Sequence, residues 1–158
     1  MPLKNIIIIL LFVCLCSCKT EAQKKETFKV IKSEAEWKSQ LTDIQYYVLR
    51  KEGTERAFSS PLDKNYSPGI YVCAACETPL FKSEHKFNSG SGWPSFDQEI
   101  KGNVAFSVDY KIGMARSEEH CSTCGGHLGH VFNDGPRKTT GKRHCINGAA
   151  LKFIPKNE

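Results

Sequence analysis

The sequence lacks an apolar run long enough to cross a membrane. Its apolar segment Ile6–Leu15 has ten residues, whereas a spanning helix needs about 20. The sequence also lacks a dense basic run, because the formal net charge is only +5 and the basic side chains are dispersed; a nucleic-acid partner is therefore not indicated. No second apolar core and no internal repeat beyond two short cysteine motifs divide the 158 residues. The length fits one domain.

The N-terminal segment has the pattern of an export signal. A basic start, Met1–Lys4, precedes Ile6–Leu15, which fits the apolar region of a signal peptide. This region runs into Leu15-Cys16-Ser17-Cys18, which resembles a bacterial lipoprotein box. We expect a signal peptide over residues 1–17, a lipid on Cys18, a flexible tether over 18–30 and a folded domain over 31–156. The protein would then be a membrane-anchored lipoprotein of the bacterial cell envelope, facing the periplasm or the extracytoplasmic side. An ordinary secretory signal or an uncleaved anchor are the alternatives.

The folded part begins with helix signals and continues with strand signals. Ser33-x-x-Glu36 and Thr42-x-x-Gln45 are capping-box patterns, and Gly53 is a candidate helix stop. Further along, short runs of β-favouring residues are bounded by Gly, Asn or Pro: Ile70–Val72, Leu80–Phe81, Val104–Val108 and Ala149–Phe153. The pattern predicts a mainly β, compact antiparallel domain with short N-terminal helices.

Four cysteines form two Cys-x-x-Cys motifs, Cys73/Cys76 and Cys121/Cys124, with 44 residues between them. Each spacing lets one turn present two thiolates, and two such turns complete a tetrahedral zinc site. Because such a site is closed, its zinc would be structural. Two internal disulfides are one alternative. A thioredoxin-like redox pair is another, although the expected βαβ context is missing. A third alternative uses His127 or His130 as ligands.

Cys145 is the remaining thiol of the predicted domain. Arg143 precedes it, Asn147 follows it, and His127 and His130 lie upstream. Positive charge and imidazoles stabilise a thiolate, so Cys145 is a candidate nucleophile. Each neighbouring residue taken alone has an ordinary structural explanation. The combination of motifs is more specific.

The order of these motifs closely resembles the B-type methionine-R-sulfoxide reductase family. The resemblance extends from about Trp37 to Phe153 and is carried by GWPSF, the two Cys-x-x-Cys pairs, HLGHVF, DGP and RHCINGAAL. It implies two antiparallel β-sheets, a structural zinc, and reduction of the R epimer of methionine sulfoxide in peptides and proteins, a repair of oxidative damage. By position, it makes Cys145 the nucleophile and Trp93 the contact for the substrate methyl group. The expected polar groups are His127, His130 and Asn147, with Asp134 and Arg143 as charged support.

The implied chemistry suits these side chains. A sulfoxide oxygen leaves only when it is protonated, so the thiolate of Cys145 needs an acid beside it, either His127 or His130. We expect Arg143 to lower the thiol pKa. The products are methionine and a Cys145 sulfenic acid.

Two positions depart from the family pattern. Many members have a resolving cysteine just before GWPSF, where this chain has Ser91. An external thiol, from a thioredoxin-like protein or a small molecule, is therefore the expected reductant. In addition, Glu77 stands where the first cysteine motif usually has glycine.

Two other functions compete with the reductase. A non-enzymatic zinc-ribbon binding module explains the four motif cysteines, but leaves Cys145, Trp93 and the histidines without a role. A general thiol–disulfide oxidoreductase requires labile Cys-x-x-Cys pairs.

Overall fold

The computed structural model describes residues 27–157 of the chain. The expected signal peptide, the lipid on Cys18 and the tether as far as residue 26 lie outside the described residues. None of the helices in the described part is long and apolar enough to cross a membrane.

Two short helices open the domain, as predicted. Helix α1 spans Glu34–Gln40 and α2 spans Asp43–Lys51, and both predicted capping boxes are formed, at Ser33 and at Thr42. The left-handed residue that ends α2 is Glu52, with φ 53°, rather than the predicted Gly53. Gly53 has a different role, because a Cβ there would lie 2.3 Å from the Tyr47 ring. The absence of a side chain lets the loop pass the helix.

Within residues 27–157, nine antiparallel strands follow the helices and form two sheets. The strands are β1 (Gly69–Cys73), β2 (Pro79–Lys82), β3 (Lys86–Phe87), β4 (Ser95–Phe96), β5 (Val104–Asp109), β6 (Arg116–Cys121), β7 (His127–Phe132), β8 (Arg143–Ile146) and β9 (Leu151–Pro155). The small sheet has the order β2-β1-β9, and the large sheet has the order β3-β4-β8-β7-β6-β5. The prediction of a mainly β domain with two antiparallel sheets is confirmed. The predicted strand at 149–153 starts later, because Gly148–Ala150 forms a 3₁₀ turn.

Aromatic rings connect the two sheets. Phe81 of the small sheet stacks on Phe96 of the large sheet with ring centroids 4.4 Å apart, and Tyr71 meets Phe96 edge-on at 4.9 Å. All three side chains are fully buried, and each contributes about 1.5–3 kcal/mol through burial of apolar surface. Helix α2 covers this core with Val48 and Leu49. The shared core makes the two sheets one domain.

The chain contacts this domain before the helices begin. The backbone N–H of Val30 donates to the Thr123 carbonyl over 2.9 Å. The ring of Phe28 meets His120 edge-on at 6.0 Å. Phe28 and Val30, which the sequence assigns to the tether, therefore pack against the domain.

Candidate active site and metal centre

The two cysteine motifs lie side by side at one end of the domain. Strands β1 and β6 end at Cys73 and Cys121, and the turn after each strand carries the second cysteine of its pair. The four Sγ atoms lie within 4.8 Å of one another. Sγ of Cys73 is 3.8 Å from that of Cys124, and Sγ of Cys76 is 3.5 Å from that of Cys121.

These distances fit a metal site rather than disulfides. Four sulfurs at about 2.3 Å from a tetrahedral zinc are about 3.8 Å apart, whereas a disulfide bond is about 2.05 Å long. All four cysteines are free thiols, so the alternative of two disulfides is not what the structure contains. The histidine-ligand alternative also fails, because His127 and His130 bond to carboxylates elsewhere. The four thiols can hold a metal ion.

The two turns have matching geometry despite the unusual Glu77. The N–H of Glu77 donates to the Cys73 carbonyl and the N–H of Gly125 to the Cys121 carbonyl, both over 2.8 Å. Both residues adopt left-handed backbone, with φ 60° and 69° respectively. A non-glycine residue in this conformation costs about 1–2 kcal/mol. Glu77 therefore strains the turn slightly and leaves the cysteine geometry unchanged.

A separate cavity of about 140 Å³ contains the thiol of Cys145. It lies on one face of the large sheet. Its lining combines apolar and polar groups: Thr54, Trp93, Arg116, Gly129, His130, Phe132, Cys145 and Asn147. Of the predicted site residues, Cys145, His130, Trp93 and Asn147 are brought together here. His127, Arg143 and Asp134 lie outside the lining.

Cys145 and His130 lie opposite each other on adjacent strands. They are register partners on β8 and β7, and such antiparallel partners point to the same face with Cβ atoms about 4.5–5.5 Å apart. Between these strands, a Cβ on Gly129 would lie 2.0 Å from the Cys145 carbonyl oxygen. The strand that carries the imidazole can therefore approach the nucleophile only because residue 129 is glycine.

A β-bulge places both histidines of β7 on this face. Glu119 pairs with Gly129, but His120 pairs with His127, so Leu128 is the extra residue. Residues three apart on a regular strand point to opposite faces, and one extra residue restores the same face. The rings of His127 and His130 consequently meet edge-on, with centroids 5.5 Å apart.

Each of these histidines bonds to a carboxylate that the sequence did not reveal. Nδ1 of His127 is 2.6 Å from Oε1 of Glu118, and Nε2 of His130 is 2.8 Å from Oδ2 of Asp109. Arg116 also donates to Asp109, over 2.5 Å. The backbone N–H of Lys111, with His130 and Arg116, holds the pKa of Asp109 well below its usual range. The His127 ring similarly lowers the pKa of Glu118.

Burial in the cavity shifts the pKa values of Cys145 and His130 in opposite directions. Burial raises the pKa of Cys145, and the hydroxyl of Ser91 and the charge of Arg143 only partly oppose this. The Ser91 Oγ lies 3.8 Å from the Cys145 Sγ. Burial lowers the pKa of His130, against the effect of Asp109. Arg143 lowers the pKa of the thiol as expected, but desolvation of the thiol outweighs the guanidinium charge, so the net pKa shift is upward.

Trp93 and Asn147 are held by one loop. The indole Nε1 of Trp93 donates to the Glu55 carbonyl over 3.2 Å, and the Glu55 N–H donates to Asn147 Oδ1 over 3.0 Å. The Asn147 Nδ2 donates to the Leu128 carbonyl. The Glu55 carboxylate accepts from the N–H groups of Gly148 and Ala149. Asn147 thus joins three chain segments and also lines the cavity as one of its polar groups.

An ion pair between Arg143 and Asp134 lies beside the cavity wall that Phe132 forms. The guanidinium donates to both carboxylate oxygens, with Nε–Oδ1 2.8 Å and Nη2–Oδ2 2.9 Å. It also lies over the Phe132 ring, 4.4 Å from the centroid. Phe132 lines the cavity. This pair therefore fixes an apolar wall and leaves its charge close to the thiol.

Comparison with known proteins identifies the family. The SelR domain model matches residues 41–155. The chain belongs to the SelR domain family. Similar proteins include a peptide methionine sulfoxide reductase MsrB from Leptospira interrogans, 58% identical over 80% of this chain and 96% of that protein. The corresponding protein of Agrobacterium fabrum is 52% identical over 80% of this chain and 94% of its own length.

A longer relative matches through part of its length. Methionine-R-sulfoxide reductase B3, mitochondrial, from Mus musculus is 52% identical over 83% of this chain and 52% of that protein. The crystal structure of the Mis18 'Yippee-like' domain covers 58% of this chain with a TM-score of 0.47 and 15% identity, which is too weak a likeness to support a conclusion.

The sequence pattern does not predict three charged residues at or beside the cavity of this SelR domain. Arg116 and Glu118 lie on β6, whose sequence RSEEHC has no apolar alternation, so the strand was not predicted. Asp109 ends β5, one residue beyond the predicted strand. The available signal was the period-two spacing of Arg116 and Glu118, which places both side chains on one face of a strand.

Proposed function

We propose that this protein reduces methionine (R)-sulfoxide in peptides and proteins to methionine, with Cys145 as the nucleophile. The observation that carries the proposal is the juxtaposition of the Cys145 thiol with His130 in a cavity walled by Trp93 and Phe132. The named relatives support the same activity. The zinc-ribbon binding module explains neither the cavity nor the buried imidazole–carboxylate pairs that serve it.

The first chemical step transfers one oxygen atom. The Cys145 sulfur attacks the electrophilic sulfoxide sulfur, its S–H bond breaks, and the sulfoxide oxygen passes to the cysteine as a sulfenic acid. The substrate sulfur gains two electrons and leaves as a thioether, and the cysteine sulfur loses two. The thiol proton ends on the sulfenic oxygen, so the step needs no proton from solvent.

His130 is placed to move that proton. It is the histidine that lines the cavity, and its Nε2 is occupied by Asp109. Neutral His130 can accept the thiol proton at Nδ1 and then deliver it to the departing oxygen. The Asp109 carboxylate stabilises the imidazolium formed in between. His127, held by Glu118 against the His130 ring, orients that ring rather than contacting substrate.

Trp93 and Phe132 provide the apolar part of the cavity. Their rings favour the S-methyl group over water. Because the indole N–H and the Arg143 guanidinium fix the two rings, the cavity is preorganised for a thioether rather than a charged side chain.

The sulfenic acid must be reduced by a thiol from outside the domain. Position 91 is serine, and the four motif cysteines form their own cluster. A first external thiol would displace water to give a mixed disulfide on Cys145, and a second would release Cys145 as a thiol. A thioredoxin-like protein or a small dithiol fits this requirement.

The four-cysteine cluster is proposed to bind zinc, with a structural role. It joins the turn after β1 to the turn after β6, so the ion would connect the two sheets. Structural zinc sites couple metal binding to folding, with about 10–16 kcal/mol of apparent binding energy in small domains. A chelator should therefore unfold the protein, and metal analysis should find one zinc per chain. Absence of bound metal in a folded, active protein would contradict this role.

Membrane anchoring through Cys18 is proposed from the sequence alone. Two or more acyl chains hold a protein stably, whereas one is marginal. Metabolic labelling with a fatty acid should mark the protein in the membrane fraction, and Cys18→Ser should abolish the label. A labelled Cys18→Ser protein would exclude this site.

The activity is tested with separated sulfoxide epimers and dithiothreitol. The protein should reduce the R epimer and leave the S epimer, and Cys145→Ser should lower turnover by more than about 10³-fold while the fold is retained. Ser91→Ala is the matched control and should stay active. Turnover of a dithiol substrate without any sulfoxide would instead favour a thiol–disulfide oxidoreductase.

A further inference from the structure

One hairpin beside the cavity exposes an unusual amount of apolar surface. Strands β5 and β6 with their connection form residues 104–121, which we call the apolar hairpin. Five of its side chains are large, apolar and 47% to 69% exposed: Phe106, Val108, Tyr110, Ile112 and Met114. Phe106 and Val108 point away from the cavity, because Phe106 pairs with Glu119 and both alternate along β5 with Asp109, which bonds to His130. Tyr110, Ile112 and Met114 lie in the connection between Asp109 and Arg116. Such a concentration marks an interaction surface more often than scattered single residues do.

The apolar hairpin is continuous with the catalytic cavity. Asp109 and Arg116 are the paired residues of β5 and β6 nearest the connection. Asp109 bonds to His130, and Arg116 lines the cavity. Lys111 forms an ion pair with Glu52, two residues before Thr54, which also lines the cavity. A molecule that extends out of the cavity past Arg116 therefore meets the connection of the apolar hairpin.

The cavity itself holds only a side chain. Its volume is about 140 Å³, close to the ~150 Å³ of an engineered cavity that binds one benzene molecule. The polypeptide on either side of an oxidised methionine must then lie outside, on the surface around the opening.

The order of strands in the large sheet gives the distance from Cys145 to β5. From Cys145 on β8 to β5 there are three strand spacings, or about 14 Å, which about four residues of extended chain can span. Strand β5 is the last strand of the sheet in the described residues, so its outer backbone groups can bond to an extended peptide. The exposed apolar side chains that follow Asp109 are Tyr110, Ile112 and Met114.

We propose that the connection of the apolar hairpin, with Tyr110, Ile112 and Met114, is the docking surface for the unfolded polypeptide that carries the oxidised methionine, and that it selects sulfoxides flanked within a few residues by apolar side chains. The inference rests on the proposed reductase activity and adds a preference for sequence context. The partner is an extended, apolar segment of a protein rather than a folded surface, because the part of the chain that the structure describes offers an unpaired edge of β5 and exposed side chains next to a cavity for one side chain.

The test compares three substrates that share the same sulfoxide. These are N-acetylmethionine (R)-sulfoxide, a peptide with methionine (R)-sulfoxide between leucines and valines, and the same peptide with glycines and serines. The double variant Tyr110→Ser/Ile112→Ser removes exposed side chains that are not among the residues lining the cavity. The matched control is Ile31→Ser/Ile154→Ser, which removes exposed apolar side chains elsewhere (78% and 52% exposed).

The hairpin variant should lose kcat/KM for the apolar peptide by about tenfold, the effect of losing roughly half the burial of one large apolar side chain. The other two substrates and the control variant should be unaffected. Equal losses on all three substrates would show that the hairpin only positions the active site, and no loss would place the peptide elsewhere; either result overturns the proposal. Unchanged peptide turnover together with lost binding to anionic vesicles, or together with lost self-association, would also overturn the proposal. Failure of the unaltered protein to reduce N-acetylmethionine (R)-sulfoxide would overturn the reductase function itself.

Discussion

The two faces of the large sheet carry similar groups in opposite settings. On one face, His130 and His127 bond to Asp109 and Glu118 at or beside a cavity. On the other face, His144 bonds to Glu119 over 2.6 Å and lies 3.3 Å from Glu99.

The difference lies in access to water and substrate. Glu119 is fully buried, its Oε2 has no hydrogen-bond partner within the described residues, and burial raises its pKa. On the cavity face, Cys145 is partly exposed. Adjacent residues of one strand, such as Glu118 and Glu119 or His144 and Cys145, therefore serve different ends, because alternate side chains point to opposite faces. We therefore propose that the same imidazole–carboxylate chemistry supports catalysis on one face and core structure on the other.

The largest expected effect separates the histidines of the two faces. His130→Asn should lower kcat/KM for the R-sulfoxide by about 10²–10⁴-fold, because the proton carrier is lost. Thermal unfolding should change little. His144→Asn should show the reverse, with reduced stability and near-normal turnover in the molecules that remain folded. Equal effects of both substitutions on turnover would contradict the assignment of the two faces.

A second comparison uses the neighbouring glutamates. Glu119→Ala leaves a buried His144 without its closest partner and should lower the free energy of unfolding by about 3–5 kcal/mol, as measured in urea. Glu118→Ala, one residue away, should cost less stability and should instead slow turnover, because His127 loses its anchor. Matching stability losses would mean that the register of β6 does not divide the two roles.

The pH profile follows from the proton shared by Cys145 and His130. Burial lowers the pKa of His130 and raises that of Cys145, so we expect the pair to share one proton between the two pKa values. When pH falls through the lowered pKa of His130, both groups are protonated and kcat/KM should fall. When pH rises through the raised pKa of Cys145, both are deprotonated and kcat/KM should fall again.

Between these limits the rate should be flat. A rate that rises steadily from pH 6 to pH 9 would instead indicate that free thiolate is the only reactive form and that His130 contributes no proton transfer.

The smallest expected effect belongs to Ser91. Its hydroxyl lowers the pKa of Cys145, so Ser91→Ala should raise that pKa and slow alkylation of Cys145 by iodoacetamide at neutral pH, by less than about tenfold. Ser89→Ala, next to Ser91 but without a contact to the thiol among the described bonds, is the control. Faster alkylation in Ser91→Ala would show that the hydroxyl shields the sulfur rather than stabilising its anion.

The sequence was sufficient where local signals decide the structure. Both capping boxes predicted helices because the bonding partners are three residues apart, and the spacing of each Cys-x-x-Cys pair predicted a metal-binding turn. Asp109 and Glu118 could not be found in this way. Their bonds to the histidines depend on how β5, β6 and β7 align and on the bulge at Leu128, which are relations between distant segments.

The raised thiol pKa had a similar origin. Arg143 next to Cys145 in the sequence indicated an activated thiolate, but desolvation depends on the whole cavity and outweighs one neighbouring charge. The local charge pattern therefore predicted the effect of Arg143 on the thiol pKa, whereas the net direction of the shift depends on burial that only the fold creates.

A single-turnover experiment tests the central claim that Cys145 takes the sulfoxide oxygen. The protein, free of external thiol, is mixed with excess methionine (R)-sulfoxide peptide and a sulfenic-acid trap, and is digested for mass spectrometry. We predict one methionine formed per chain, the trap attached to Cys145, no label with the S epimer and no disulfide to the motif cysteines. Methionine formation with Cys145 still a free thiol, or with the trap on Cys73, Cys76, Cys121 or Cys124, would contradict the account.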